Sequence, residues 1–281
     1  MAHLTAQSAG PAPAQRVSAV PPARRRSGLP GTLRSEFTKI RSVRSTWITL
    51  ATFFVGGLAA AIGLAAASRS SAGQASFDPT APSLGGTANF GELIMVVIGA
   101  LVITSEFGTR MMGTSLAAMP RRGVLYAAKA IAVTCVALAA ALVMSFASFF
   151  AGQAALASTH AGASITSPGA LRAVLLTALV LACCALMGFG VGAVIRHTAG
   201  AITGLFGLVF LLPVVATALP DSVRNDVVRW VPGNSAVYPI IATKPDGTAY
   251  LFGPYGQLAV FAGYAVIAVV AGALVFLRRD A

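Results

Sequence analysis

Charge is what this chain has least of. Only 10% of its 281 residues are Asp, Glu, Lys or Arg, and acids are the rarer kind, 8 against 20 bases. A soluble domain carries roughly a quarter charged residues, so an ordinary soluble enzyme or binding module is excluded. Cysteine is sparse too. Cys135, Cys183 and Cys184 fall inside apolar runs, where they behave as small hydrophobes, and the adjacent pair lacks the spacing of a chelating loop. Neither a disulfide framework nor a zinc site is implied, and His3, His160 and His197 are scattered. The chain contains no GxxxxGKS or GxxxxGKT, no HExxH and no GxSxG. It therefore has no Walker-type cradle for nucleotide phosphate and lacks the commonest metalloprotease and serine-hydrolase signatures. It cannot be its own ATP-driven motor.

What is abundant is apolar sequence, 56% of the chain. A helix needs about 20 apolar residues to cross about 30 Å of hydrocarbon. Runs of that kind occupy residues 47–67, 85–105, 130–150, 171–195, 199–219 and 255–277. The expected fold is an all-α integral membrane protein with six transmembrane helices. The second run is the odd one, because only Leu93 to Ser105 separates Glu92 from Glu106. That stretch rises about 20 Å, too little to keep both carboxyls outside. Either the bilayer thins, or one carboxyl faces protein or a water-filled cavity. Arg110 lies four residues after Glu106 and is placed to form an ion pair with it at the membrane edge. Glu92 is then a candidate for lining a cavity, with a locally hydrated helix end as the competing reading.

The formal net charge is +12. Bases that bind nucleic acid cluster on a folded soluble face, whereas these flank the spans, so no nucleic-acid partner is expected. With the N-terminus inside, the outer pieces hold only Arg69, Arg172, Arg224, Arg229 and Lys244. The positive-inside rule then puts both termini in the cytoplasm of a multi-pass protein of the lipid bilayer. Residues 1–30, rich in Ala, Pro, Ser and Arg, read as a disordered basic tail. Residues 31–46 read as a basic amphipathic elbow helix: Leu33, Phe37, Ile40, Val43 and Trp47 recur at helical spacing, with Arg34, Lys39, Arg41 and Arg44 on the remaining surface. A force-transmitting elbow and a passive anchor both fit. Residues 106–129 form a cytoplasmic loop too densely charged for a simple connection, and residues 220–241 an external amphipathic or re-entrant segment. Gly188 and Gly192, and Gly200 and Gly204 with Gly207 beyond them, allow close helix packing, either within one subunit or across a dimer face.

Three pieces carry a family resemblance: SEFTKIRSVRSTW (Ser35 to Trp47), SEFGTRMMGTSLAAMPRRG (Ser105 to Gly123) followed by Lys129, and WVPGNSAVYPI before the last span. In this order and six-span layout the chain resembles the membrane subunits of ATP-binding-cassette exporters of the second export class. These are the drug and polysaccharide export permeases, in the form common in actinobacteria. The resemblance implies a permease of the bacterial cytoplasmic membrane that moves a substrate outward by alternating access. It implies two permease copies, a homodimer for a single six-span chain, and a separate ATPase subunit that holds ATP and magnesium, with no cofactor in this chain. Its coupling surface would be Pro120, Arg121, Arg122 and Gly123, with Glu106 and Arg110 at the membrane edge. An ion-coupled secondary transporter using Glu92 is the alternative, and a non-transporting anchor or an enzyme with an unfamiliar site is a third. The bland lining of the spans leaves drug, lipid, peptide and glycan open as cargo.

Overall fold

The computed structural model describes residues 28–74, 76–109, 112, 121–159, 161–233, 241–242 and 252–278, the side chain of Asp221 excepted. Among these residues the only regular structure is helical. Helix α1 (Leu29–Ser42) starts with Pro30 in its first turn, where proline's fixed φ is an asset. It stops at Val43, whose backbone is extended at φ −85° and ψ 118°. The chain then re-enters a helix at once as α2 (Arg44–Ala67). One extended residue is therefore the whole joint between the elbow and the first span.

Helix α3 (Thr80–Gly108) is opened by Asp78, whose Oδ1 accepts from the Thr80 backbone N–H at 2.8 Å and the Thr80 hydroxyl at 2.6 Å. It begins five residues before the apolar run read from the sequence, because the small neutral residues from Thr80 to Asn89 continue the helix. Its 29 residues reach about 43 Å, more than the hydrocarbon thickness, so the helix crosses by continuing before Glu92 and leaves that carboxyl within it. There follow α4 (Arg122–Leu156), α5 (Ala170–Ile195), α6 (Thr198–Thr217), α7 (Asp221–Val228) and α8 (Pro254–Arg278). Six helices, α2 to α6 and α8, are long and apolar enough to cross a membrane. The protein is an all-α membrane protein.

Helix α5 is the centre of the bundle and packs most widely against α3 and α8, then α4. The closeness of α3 and α5 comes from two glycines facing opposite ways: a Cβ on Gly99 would collide with the Ala185 carbonyl, and one on Gly188 with the Val96 carbonyl. Gly192 faces α3 less tightly, against the side chains of Ile103 and Thr104. This pair of glycines therefore serves packing within one subunit, whereas Gly204 and Gly207 on α6 have nothing within 4 Å. Phe53, Met95, Leu181, Phe189 and Phe261 fill the core around α5.

Helix α6 changes to a π turn at Gly207–Leu211, just before Pro213. Proline has no N–H to give the carbonyl four residues earlier, here Val209, and its ring crowds that carbonyl; a π turn absorbs the lost register. The backbone of Gly233 approaches the same Val209 carbonyl so closely that a side chain there would not fit. The segment after α7 is thereby seated against the break in α6. On the outside of the bundle Ile48, Val55, Val214, Val266 and Ile267 are at least 60% exposed, a surface that water would penalise and lipid matches.

Gly99→Val forces α3 away from α5 and is expected to cost more than about 3 kcal/mol, beyond an ordinary substitution. Gly204→Ala meets open space and is expected to stay within about 0.5 kcal/mol of wild type. Thermal unfolding of the detergent-solubilised proteins, followed by size-exclusion fluorescence, compares the two.

Candidate functional site: an ion network at the α1 end of the bundle

The face that α1 turns inward is its polar one. Thr32 and Glu36 are buried while Phe37 on the other side is 40% exposed. Thr32, Glu36 and Lys39 fall at i, i+4 and i+7, one face of a helix. That face lies against the start of α4, with the end of α3 beside it. There four charged groups meet. Lys39 Nζ lies 3.2 Å from Glu36 Oε1 and 3.0 Å from Glu106 Oε1. Lys129 Nζ lies 2.8 Å from Glu36 Oε2 and 2.5 Å from Glu106 Oε1. Among the described residues two carboxylates thus face two ammonium groups, and three helices, α1, α3 and α4, each contribute.

The members differ in exposure. The Lys129 side chain is 0% exposed, Glu36 3%, Glu106 9% and Lys39 34%. Removing an ion from water costs several kcal/mol, recovered only when each charge is matched by good geometry. A lysine inside this bundle is therefore tenable only while both glutamates face it. For Lys39, partial burial would lower the ammonium pKa, but hydrogen bonds and charge from Glu106 and Glu36 outweigh that and hold it above the ordinary 10.5. Its contribution to stability is then complete below the ordinary lysine value and is lost only as pH rises through the raised one. Lys39 is therefore protonated at neutral pH.

Beside it, an aromatic cluster joins the same ends to the centre. Tyr126, one turn before Lys129 on α4, has its ring 4.9 Å from Phe189 of α5 and 5.4 Å from Phe276 of α8. Its hydroxyl donates to the Val269 carbonyl of α8 at 2.8 Å. Phe107, next to Glu106, stacks edgewise on Phe276, and the Arg196 guanidinium lies 4.8 Å above the Phe107 ring, a cation–π contact. Between α1, the first turns of α2 and the last turns of α3 lies a cavity of about 300 Å³, lined by Glu36, Lys39, Val43, Thr46, Ile98, Val102 and Glu106 among others.

The residues expected from the sequence are placed as follows. Arg110 and Pro120 lie outside the described residues. Arg121 and Gly123 are exposed and Arg122 half-buried at the first turn of α4, where the Arg121 carbonyl accepts from Val124 and Leu125. Gly123 faces Leu277 of α8. Glu106 is buried, and its described partners are the two lysines. Glu92 is 4% exposed, twelve residues into α3 and about 18 Å from its start. It makes no hydrogen bond or ion pair with a described residue. No group of His, Cys, Asp and Glu among the described residues could hold a metal ion. Sequence reading missed Glu36, Lys39 and Lys129 as partners of Glu106. The polar i, i+4, i+7 stripe of α1 was there to be read, but nothing in it named the helix it meets.

A family model described as ABC-2 family transporter protein matches residues 32–213. The chain belongs to this family. No match is found among curated proteins. The matched stretch runs from inside α1 to inside α6, so all four members of the ion network fall within the ABC-2 region. As an ABC-2 protein the chain is a multi-pass permease subunit of an ABC transporter.

Lys129→Met leaves Glu36 and Glu106 with too little positive charge and is expected to destabilise the permease by about 3–5 kcal/mol. Combining it with Glu106→Gln restores neutrality and is expected to recover a measurable part of the loss. Melting temperatures of the single and double variants in one detergent make the comparison.

Proposed function

We propose that this ABC-2 permease is the membrane half of an ATP-driven exporter, working with a second copy of itself and with a separate cassette ATPase. The α1 end of the bundle is read as cytoplasmic because most of the bases lie there, as the positive-inside rule requires. The ATPase would meet the 106–129 segment at Pro120, Arg121, Arg122 and Gly123.

The observation that carries this reading is the network of Glu36, Lys39, Glu106 and Lys129. Glu106 opens the 106–129 segment and Lys129 closes it, and both are bound to the elbow, Glu106 through Lys39 and Lys129 through Glu36. A push on that segment therefore has to displace α3, α4 and α1 together. Tyr126 carries the same displacement to α5 and α8 through its contacts with Phe189, Phe276 and Val269. A merely orienting elbow has no need of buried ion pairs to two other helices. The absence of a phosphate cradle in the sequence supports a motor on another chain, and the apolar outer faces of α2, α6 and α8 leave room for a second permease beside lipid.

Glu92 gives the ion-coupled alternative its one specific support, being buried in the middle of a span without a charged partner among the described residues. If it carried the coupling ion, Glu92→Gln would abolish transport and the wild type would respond to the proton gradient. The proposed reading expects transport by Glu92→Gln to remain ATP-dependent and indifferent to that gradient.

Co-expression with the cassette ATPase of the same genome tests the main reading. The expected result is a stable complex whose ATP hydrolysis rises in lipid. Replacing Arg121 and Arg122 by Glu reverses charge at the contact, and like-charge juxtaposition costs several kcal/mol at an interface. That variant is expected to insert in normal amounts yet lose complex formation and the stimulated hydrolysis. A permease that associates with no cassette ATPase sinks the proposal.

A further inference from the structure

We infer that the cavity between α1, α2 and α3 is a binding site for an alkylammonium, a primary amine carrying a hydrocarbon chain. Its volume of about 300 Å³ stands at the small end of ligand sites, which span roughly 300–1,000 Å³. Its lining has two distinct parts. Ile98, Leu101, Val102 and Val43 form an apolar wall, and Glu36, Lys39 and Glu106 stand together at one side. The charged residues of the lining are thus two acids and one base.

The base is the replaceable member. Lys39 is 34% exposed, while Lys129, which completes the neutral quartet from behind, is fully buried. The Lys39 ammonium occupies a place 3.2 Å from one glutamate oxygen and 3.0 Å from another. An incoming primary ammonium fits that place with the same N–H donors and the same unit charge. The exchange puts one ammonium in the place of another, so the charge facing the two carboxylates is unchanged. An anionic head would bring a further negative charge beside the two carboxylates, and a neutral alcohol would bring no positive charge in place of the displaced ammonium. The hydrocarbon chain then lies along Val102 and Ile98, and Lys39 swings into solvent on its flexible stem.

The same chemistry can come from an aminophospholipid of the adjoining leaflet or from a free amphipathic amine. In either case binding breaks the direct Lys39–Glu106 pair between the elbow and α3, while Lys129 keeps its hold on both glutamates. This site belongs to the permease alone and requires no ATPase, so its failure and that of the transport reading are separable.

The test uses the full chain in phosphatidylcholine nanodiscs, whose trimethylated head has no N–H to donate. Trp47 follows Thr46 of the cavity wall, and in a Trp230→Phe background its fluorescence is the chain's single tryptophan signal. Dodecylamine is expected to change that signal saturably, and dodecanol to produce no saturable change. Lys39→Met removes the competing ammonium, an interaction of the size of a half-exposed ion pair, and is expected to tighten dodecylamine binding about fivefold. Val102→Phe fills the apolar wall without touching the charges and is expected to weaken it severalfold. Equal responses to amine and alcohol, a Lys39→Met protein that binds no more tightly, or a Val102→Phe protein that binds unchanged, each overturns the proposal. Adding phosphatidylethanolamine to the discs separates the sources: loss of the dodecylamine response assigns the site to the lipid head, and its persistence assigns it to soluble amines.

Discussion

A lysine ammonium with no exposure to solvent is the constraint around which the α1 end of this protein is built. Lys129 sits near the start of a 35-residue apolar helix, where an uncompensated charge is intolerable. Two carboxylates must face it, and no acid lies within reach on its own helix. They come instead from α1, 93 residues away in sequence, and from α3, 23 residues away. Satisfying one charge therefore fixes the positions of three helices. Lys39 faces the same two carboxylates and is the most exposed of the four.

The rest of the bundle is organised on packing rather than charge. Helix α5 is enclosed by its neighbours because glycines at Gly99 and Gly188 let backbones touch, and this closeness makes α3 and α5 a stiff pair. Tyr126 connects that pair and α8 to the first turn of α4, one turn from Lys129. The polar network and the aromatic cluster thus grip α4 at adjacent turns, one reaching outward to the elbow and the other inward to the core. A disturbance at Arg121 or Arg122 has two physical routes into the membrane. By contrast α6 is loosely held, with a π turn, two glycines that face open space and an exposed apolar face, the properties of a helix with room for displacement or for a partner.

How far this was legible varies by element. The six spans were readable because a hydrocarbon slab imposes length and apolarity on any crossing helix, independent of its neighbours. The start of α3 was misjudged by five residues because Thr, Ser and Gly near Thr80 look like loop in water but extend a helix that is enclosed by protein. The elbow was recognised by its apolar stripe, while the opposite stripe, which holds Glu36 and Lys39, passed as ordinary surface. Glu106 was expected to find a base, and Arg110 was the local choice; the described partners are distant because a buried acid is matched by whatever charge the packing delivers.

Class, number of spans, and the want of a phosphate-cradle motif were determined by the sequence alone, since composition and local period act residue by residue. Family membership was also visible there, in three short pieces, two of them charged. Tertiary structure alone decided which glutamate meets which lysine, which glycines serve one subunit's packing, and that a cavity opens beside Lys39. Those outcomes depend on how helices far apart in the chain are brought together, and no local pattern carries that information. The physical reason is the low polarity of the interior: it makes every buried charge seek a partner, but leaves the fold to choose it.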